Sequence, residues 1–258
     1  NGKTVLAERP RFHLLLGDVS YANGKQPIWD DYLKQIEPMT RVIPFMLTLG
    51  NHENEKLVVN GQEQRIGYAS YLARFALPGT EQWYTFDYGP ARFVAFNSDD
   101  FANPEQLVWL EKTLAEARRD TKVNWVIVFQ HHPLYSTSKG RGDNPALIQT
   151  VAPLYDRYKV DLVLCGHDHH YERQYPMRAG QSTTLKKTDY RQGEGTLYIV
   201  EGGGGKSLYD FTDPIPAICA CREKTNGYLR VTVEHGQLVI EAKRTNRSRI
   251  ELIRIKRP

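Results

Sequence analysis

Six short apolar runs punctuate the chain, and four of them stop at clusters of side chains able to bind metal. The runs cover 12–16, 42–48, 91–96, 123–129, 160–164 and 196–200, each of strand rather than helix length. Run 12–16 leads into Gly17-Asp18-Val19-Ser20-Tyr21, and run 42–48 into Gly50-Asn51-His52-Glu53. Run 123–129 leads into His131-His132, and run 160–164 into Gly166-His167-Asp168-His169-His170. Between the runs lie amphipathic segments. Asn103-Pro104-Glu105-Gln106 supplies an N-cap, a proline at the first helical position and a glutamine three residues after the cap, with Leu107, Leu110 and Leu114 on one face. That pattern predicts a helix over 104–119. Asn144-Pro145 opens a second through about Lys159, and Pro27 to Met39 reads as a third. The alternation predicts an α/β chain. After Gly205 the pattern becomes antiparallel: 228–233, a turn at His235-Gly236, 238–240 and a last strand over 249–256. No repeat or Gly/Ser/Pro-rich linker divides the chain, so residues 1–258 are read as one domain.

Charge and composition exclude several functions. No stretch approaches the roughly 18 consecutive apolar residues of a membrane span. The net charge of +4 is local, because residues 241–258 carry seven Lys/Arg against two Glu. A nucleic-acid partner is therefore not expected, nor is a membrane. Three cysteines make no disulfide scaffold, and Cys219 and Cys221 are too close in sequence to bridge without strain. The chain opens at Asn1 without a signal segment, so any targeting peptide is expected to lie outside these residues.

In open α/β sheets the carboxyl ends of strands share one edge, so clusters tens of residues apart can form one site. Asp and Asn oxygens with several imidazoles suit Zn, Mn or Fe, and they are too numerous for one tetrahedral ion. Two ions about 3.5–4 Å apart clamp the attacking and leaving oxygens of an in-line displacement, the geometry of phosphoester hydrolysis. Tyr21 is the unusual member. A phenol with an ordinary pKa near 10 ligates as phenolate only beside a strongly acidic ion, and Fe(III) does this most readily. Each element taken singly has a plainer reading: Gly-Asp and Gly-Asn are turn dipeptides, and a lone tyrosine packs on a surface. Their joint occurrence at four strand ends makes coincidence a poor explanation.

Gly17-Asp18-x-x-Tyr21, Gly50-Asn51-His52-Glu53, Val128-x-x-His131 and Gly166-His167-x-His169, followed by Tyr171-Glu172-Arg173, resemble the purple acid phosphatases among the calcineurin-like metallophosphoesterases. Trp83-Tyr84-Thr85-Phe86-Asp87-Tyr88-Gly89, Glu105-Gln106-x-x-Trp109-Leu110, His132-Pro133-Leu134-Tyr135-Ser136 and the glycines 202–205 extend the likeness from residue 12 onward. The resemblance implies a four-layer α/β/β/α sandwich of two mixed sheets flanked by helices. It implies that Asp18 bridges two ions, Tyr21 and His169 complete a ferric side, and Asn51, His131 and His167 hold a divalent Zn, Mn or Fe. His52 falls where the family places a group that bonds substrate phosphate and donates a proton to the leaving alkoxide; its plainer reading is a structural histidine behind the ligands.

Two departures qualify the match. The family's first motif, a strand-end Asp supplying a ferric carboxylate, has no counterpart in residues 1–11, which contain no Asp. An N-terminally truncated catalytic domain is the expected cause, and true loss of a ligand is the alternative. Plant-type members also carry histidines after the His131 motif, where this chain has Ser136-Thr137-Ser138-Lys139-Gly140-Arg141-Gly142-Asp143. Lys139 or Arg141 could supply the positive charge for phosphate instead; a solvated basic loop is the plainer reading. The expected activity is hydrolysis of phosphate monoesters at acidic pH by a metal-bound hydroxide. A diesterase of the same fold and a non-catalytic metal- or phosphate-binding protein are the alternatives. The resemblance further implies a phosphate-ester substrate, extracellular or periplasmic location and an N-terminal β-sandwich domain outside this chain.

Overall fold

The computed structural model describes residues 2–186 and 188–258. The chain runs through α1 (Gly2–Ala7), β1 (His13–Leu16), α2 (Gln26–Thr40) and β2 (Phe45–Thr48). A hairpin, β3 (Glu55–Val59) and β4 (Gln62–Gly67), and a short α3 (Ala69–Leu72) follow. Next come β5 (Tyr84–Tyr88), β6 (Ala91–Phe96), α4 (Pro104–Arg119), β7 (Trp125–Gln130), α5 (Pro145–Arg157), β8 (Leu162–Cys165) and β9 (Tyr171–Gln174). The remainder is strands: β10 (Met177–Arg178), β11 (Gln181–Ser182), β12 (Asp189–Arg191), β13 (Leu197–Glu201), β14 (Cys219–Glu223), β15 (Gly227–Val233), β16 (Gln237–Arg244) and β17 (Arg249–Lys256).

Seven strands form one mixed sheet in the order β14-β9-β13-β8-β7-β6-β5, parallel through its centre. β7 is buried at every position, which is why it reads as an unbroken apolar run. One face of this sheet, with Val94, Phe96, Val126, Val128 and Val163, packs on Leu110 and Leu114 of α4 and Leu147, Val151 and Tyr155 of α5. Its other face packs on Leu238, Ile240, Ile253 and Ile255 of a second sheet ordered β12-β17-β16-β15, and on Leu14, Leu16 and Met46 of the parallel pair β1-β2. α1 and α2 meet through Val5 and Met39 against Tyr228 of β15, outside that second layer. The result is the α/β/β/α sandwich of two strand layers between helices. Among the described residues, β1 pairs only with β2, and β15 only with β16. None of the described helices is long and apolar enough to cross a membrane.

Most expected elements are present with shifted ends. The strand expected at 42–48 begins at Phe45, because α2 runs to Thr40 and Pro44 has no N–H to offer a ladder. The second helix stops at Arg157, and Lys159 beyond it takes a left-handed φ of 48°. The helix at 104–119 is as expected, with the Asn103 side chain accepting from the N–H groups of Glu105 and Gln106. Composition hid other elements. β3 and β4 bury almost nothing, so they carry no apolar alternation. β9 reads Tyr-Glu-Arg-Gln, yet all four residues are buried.

A polar strand is tolerated there because its charges are matched. Arg173 of β9 donates to both carboxylate oxygens of Glu251 on β17, each at 2.7 Å, and to the Tyr190 hydroxyl of β12 at 2.8 Å. Tyr171 donates to the same carboxylate. This pair joins the two sheets across the core. Removing one partner leaves an uncompensated buried charge, so Glu251→Ala is expected to destabilise the fold by about 3–5 kcal/mol, read as a lower urea midpoint.

Candidate metal centre

The loops that end β1 and β2 lie side by side, because the parallel register pairs Leu16 with Thr48. They pack so closely that a Cβ on Gly50 would sit 2.4 Å from Asp18 N, which excludes any larger residue. Asp18 and Tyr21 hold left-handed φ values of 51° and 55°, and His167 one of 66°. Such backbone persists only where its surroundings over-determine it. Here Glu53 does so. Its carboxylate is fully buried and accepts from the N–H groups of Asp18, Val19 and Gly50 at 2.7, 2.8 and 2.9 Å. Burial first, then the Asp18 charge, pushes the Glu53 carboxyl up to about 7.

Four candidate ligand atoms converge beyond these loops. His131 Nε2 lies 3.2 Å from Asp18 Oδ2, 3.1 Å from Asn51 Oδ1 and 3.0 Å from His167 Nδ1. The other nitrogen of His131, Nδ1, faces Leu16 O at 2.6 Å and so carries the ring proton of the neutral imidazole. The Nε2 lone pair is thereby left pointing at three further candidate ligand atoms. Two nitrogens and two oxygens crowded in this way suit a borderline divalent cation. A second pair adjoins them: Tyr21 Oη lies 3.0 Å from His169 Nε2, while His169 Nδ1 donates to Ser207 O at 2.8 Å. The residues present therefore fit metal binding, with Asp18, Asn51, His131 and His167 as one donor group and Tyr21 with His169 as another.

Electrostatics divide the cluster. Burial opposes the Asp18 charge, but His131 and the His52 N–H hold its carboxyl down to about 2. Burial, reinforced by His131, His132 and Arg141, pushes His167 down to about 2, and burial lowers His169 as well. Asp18 therefore stays ionised and His167 neutral in mild acid. Burial alone would lower His131, but Asp18 overrides it and raises it. Burial and then Asp18 drive the Tyr21 phenol well above its ordinary value.

The remaining expected residues lie around this core. His52 sits with Nε2 4.0 Å from Asp18 Oδ2. Arg141 stacks 4.7 Å over the Tyr209 ring, donates to its hydroxyl at 3.0 Å and contacts His167 Nε2. Lys139 lines a neighbouring cavity of about 340 Å³ with Arg141 and Tyr209. Its loop is anchored by Thr137, whose N–H and hydroxyl bond the buried Glu172. His170 turns inward and faces Glu172 at 3.2 Å.

Several participants carried no assigned role in the sequence. Glu53 stood inside a quoted motif, and its spacing from Gly50 was the only signal. Tyr209 stacks on His169 at 4.2 Å, and Lys206 lies 4.5 Å over the Tyr21 ring, both from a loop without a motif. His132 has a ring nitrogen within 4.8 Å of those of His131 and His167, but its Nδ1 faces Ser98 Oγ at 3.1 Å.

The sequence profile of the calcineurin-like phosphoesterases matches residues 3–171. The chain belongs to this family. Among solved structures it is similar to the purple acid phosphatase PPD1 from yellow lupin seeds, with a TM-score of 0.89 and 28% identity over 99% of this chain and 48% of that one. A probable inactive purple acid phosphatase of Arabidopsis thaliana is 34% identical over 93% of this chain and 41% of its own length. An uncharacterized protein of Mycobacterium tuberculosis is 37% identical over 79% of this chain and 44% of its length. A nucleotide pyrophosphatase/phosphodiesterase of Hordeum vulgare is 30% identical over 89% and 67%. The chain thus spans less than half of the first three of these proteins, and within the family its likeness is to the purple acid phosphatases. A binuclear metal centre is what this family implies, and the converging donors are consistent with it.

If Glu53 holds the Asp18 and Gly50 loops level, Glu53→Gln sets an amide N–H against a backbone N–H. Metal affinity is then expected to fall about 10–100-fold, measured by chelator competition.

Proposed function

We propose that this chain hydrolyses phosphate monoesters at mildly acidic pH, using a ferric ion beside a divalent Zn, Mn or Fe ion. The observation that carries the reading is the pairing of Tyr21 Oη with His169 Nε2 at 3.0 Å, next to the carboxylate that also faces His131. A phenol this reluctant to ionise would ligate only beside a strongly acidic cation, which favours Fe(III) over a second divalent ion. Tyr21, His169 and Asp18 would hold the ferric ion, and Asp18, Asn51, His131 and His167 the divalent one.

When bound, the two ions supply neutralisation of the phosphoryl oxygens and an acidified water. The protein's residues do the rest. The low values of Asp18 and His167 keep those ligands unprotonated near pH 5, which supports action in mild acid. Arg141, braced on Tyr209, presents a planar guanidinium to phosphate, and Lys139 adds charge along the adjoining cavity. His52 stands at the partly exposed side of Asp18, where it donates a proton to the departing oxygen.

The barley relative's name supports a second reading, cleavage of phosphodiesters. Turnover of an aryl monoester and of its bis-aryl ester by the metal-loaded protein separates them: the monoester is expected to be the faster, and the reverse order selects the diesterase. Binding of both metals without turnover of either ester selects a non-catalytic protein. Tyr21→Phe is expected to abolish visible phenolate-to-iron absorption; an unchanged spectrum overturns the ferric assignment.

A further inference from the structure

We propose that Lys139 selects esters whose leaving group carries a second anionic group, a carboxylate or a phosphate, held in the cavity beside the metal centre. The proposal rests on the reading of the centre as a phosphomonoesterase, in which everything beyond the scissile phosphate is leaving group. The cavity of about 340 Å³ is a cleft between two loops, with Lys139, Gly140 and Arg141 on one side and Leu208, Tyr209 and Asp210 on the other. Its inner wall belongs to the centre, because Arg141 contacts His167 Nε2 and Tyr209 stacks on His169. A leaving group directed past Arg141 and Tyr209 therefore enters this cleft.

The two loops are fastened to each other before anything binds. Lys139 N–H donates to Asp210 O at 2.8 Å, Thr212 N–H donates to Thr137 O at 2.7 Å, and Ser138 forms a β-bridge with Phe211. The cleft is thus preformed, and its charge follows from which lining groups are already paired. Asp210 is the one acid among the lining residues, and Lys224 engages it at 2.6 Å. Arg141 Nε lies 3.6 Å from Oδ1 of the buried Asp168. Lys139 makes no ion pair among the described residues, so its ammonium is left to a ligand. Stacking is denied at the same place. His169 lies 4.2 Å from the Tyr209 ring and the Arg141 guanidinium 4.7 Å from it, and two groups this close to one ring must take opposite faces. A flat leaving group finds no aromatic face there, whereas an anion meets an unneutralised charge. A lysine on its flexible stem acts as a point charge, which suits carboxylate and phosphate alike.

Two matched pairs of esters test this on the full-length, metal-loaded protein. One sets glycerol 3-phosphate against 3-phosphoglycerate, which replaces a hydroxymethyl group by a carboxylate; the other sets fructose 6-phosphate against fructose 1,6-bisphosphate. In at least one pair the anionic member is expected to have a kcat/KM about fivefold higher, the worth of one partly solvated ion pair, and the pair that shows it names the anion. Lys139→Ala should bring that ratio to about one, and Lys139→Glu should invert it. Equal kcat/KM within both pairs, or a ratio that both variants leave in place, overturns the proposal. Absence of turnover of all four esters overturns the phosphatase reading beneath it. Calorimetric binding of the same esters then decides the Lys139 assignment separately: tighter binding of an anionic member that Lys139→Ala removes sustains it, and equal binding sinks it.

Discussion

Three backbone N–H groups from two loops converge on the buried Glu53 carboxylate, and the geometry of the centre follows from that convergence. An anion buried without a counter-charge is costly unless its oxygens are satisfied, so the loops are drawn to it from both sides. Asp18 is thereby held in a left-handed conformation with its side chain turned toward His131, while Gly50 is small enough to pass beside it. Burial first, and then the nearby Asp18 charge, raises the pKa of the same carboxylate, and the bonds from Val19 and Gly50 N–H act against that rise. Strain at the site is in this way offset by hydrogen bonds one layer deeper.

The next constraint is the stacking of two strand layers. β1 and β2 belong to one layer, β7 and β8 to the other, and the centre forms where both sets of carboxyl ends emerge together. The expected gathering of the four clusters thus takes place at an edge shared between two strand layers. Apolar packing between the layers sets their spacing, and Arg173 with Glu251 ties β9 to β17 across that packing. The site inherits its precision from the sandwich as a whole, since no single sheet holds all its residues.

Much of this was legible in the chain. Strands 91–96 and 249–256 and the helix 104–119 were readable because each carries a strong periodic pattern or cap. The hairpin at 55–67 and the strand at 171–174 were not: one buries almost nothing, and the other buries polar groups whose partners are distant in sequence. The same division runs through the site. Asp18, Asn51, His131 and His167 announced themselves by residue type at strand ends. Tyr209 and Lys206, by contrast, sit in an irregular loop whose path over Tyr21 and His169 is set by remote contacts.

Residue type and position relative to a strand end are local properties, and the sequence by itself determined them: which side chains carry metal-binding chemistry, and that they gather at the ends of parallel strands. Which atoms meet is not local. The lone pair of His131 is aimed by the carbonyl of Leu16 and that of His169 by the carbonyl of Ser207. Only the tertiary structure decided these, because each depends on a hydrogen-bond partner brought from elsewhere in the chain by the packing of the two sheets.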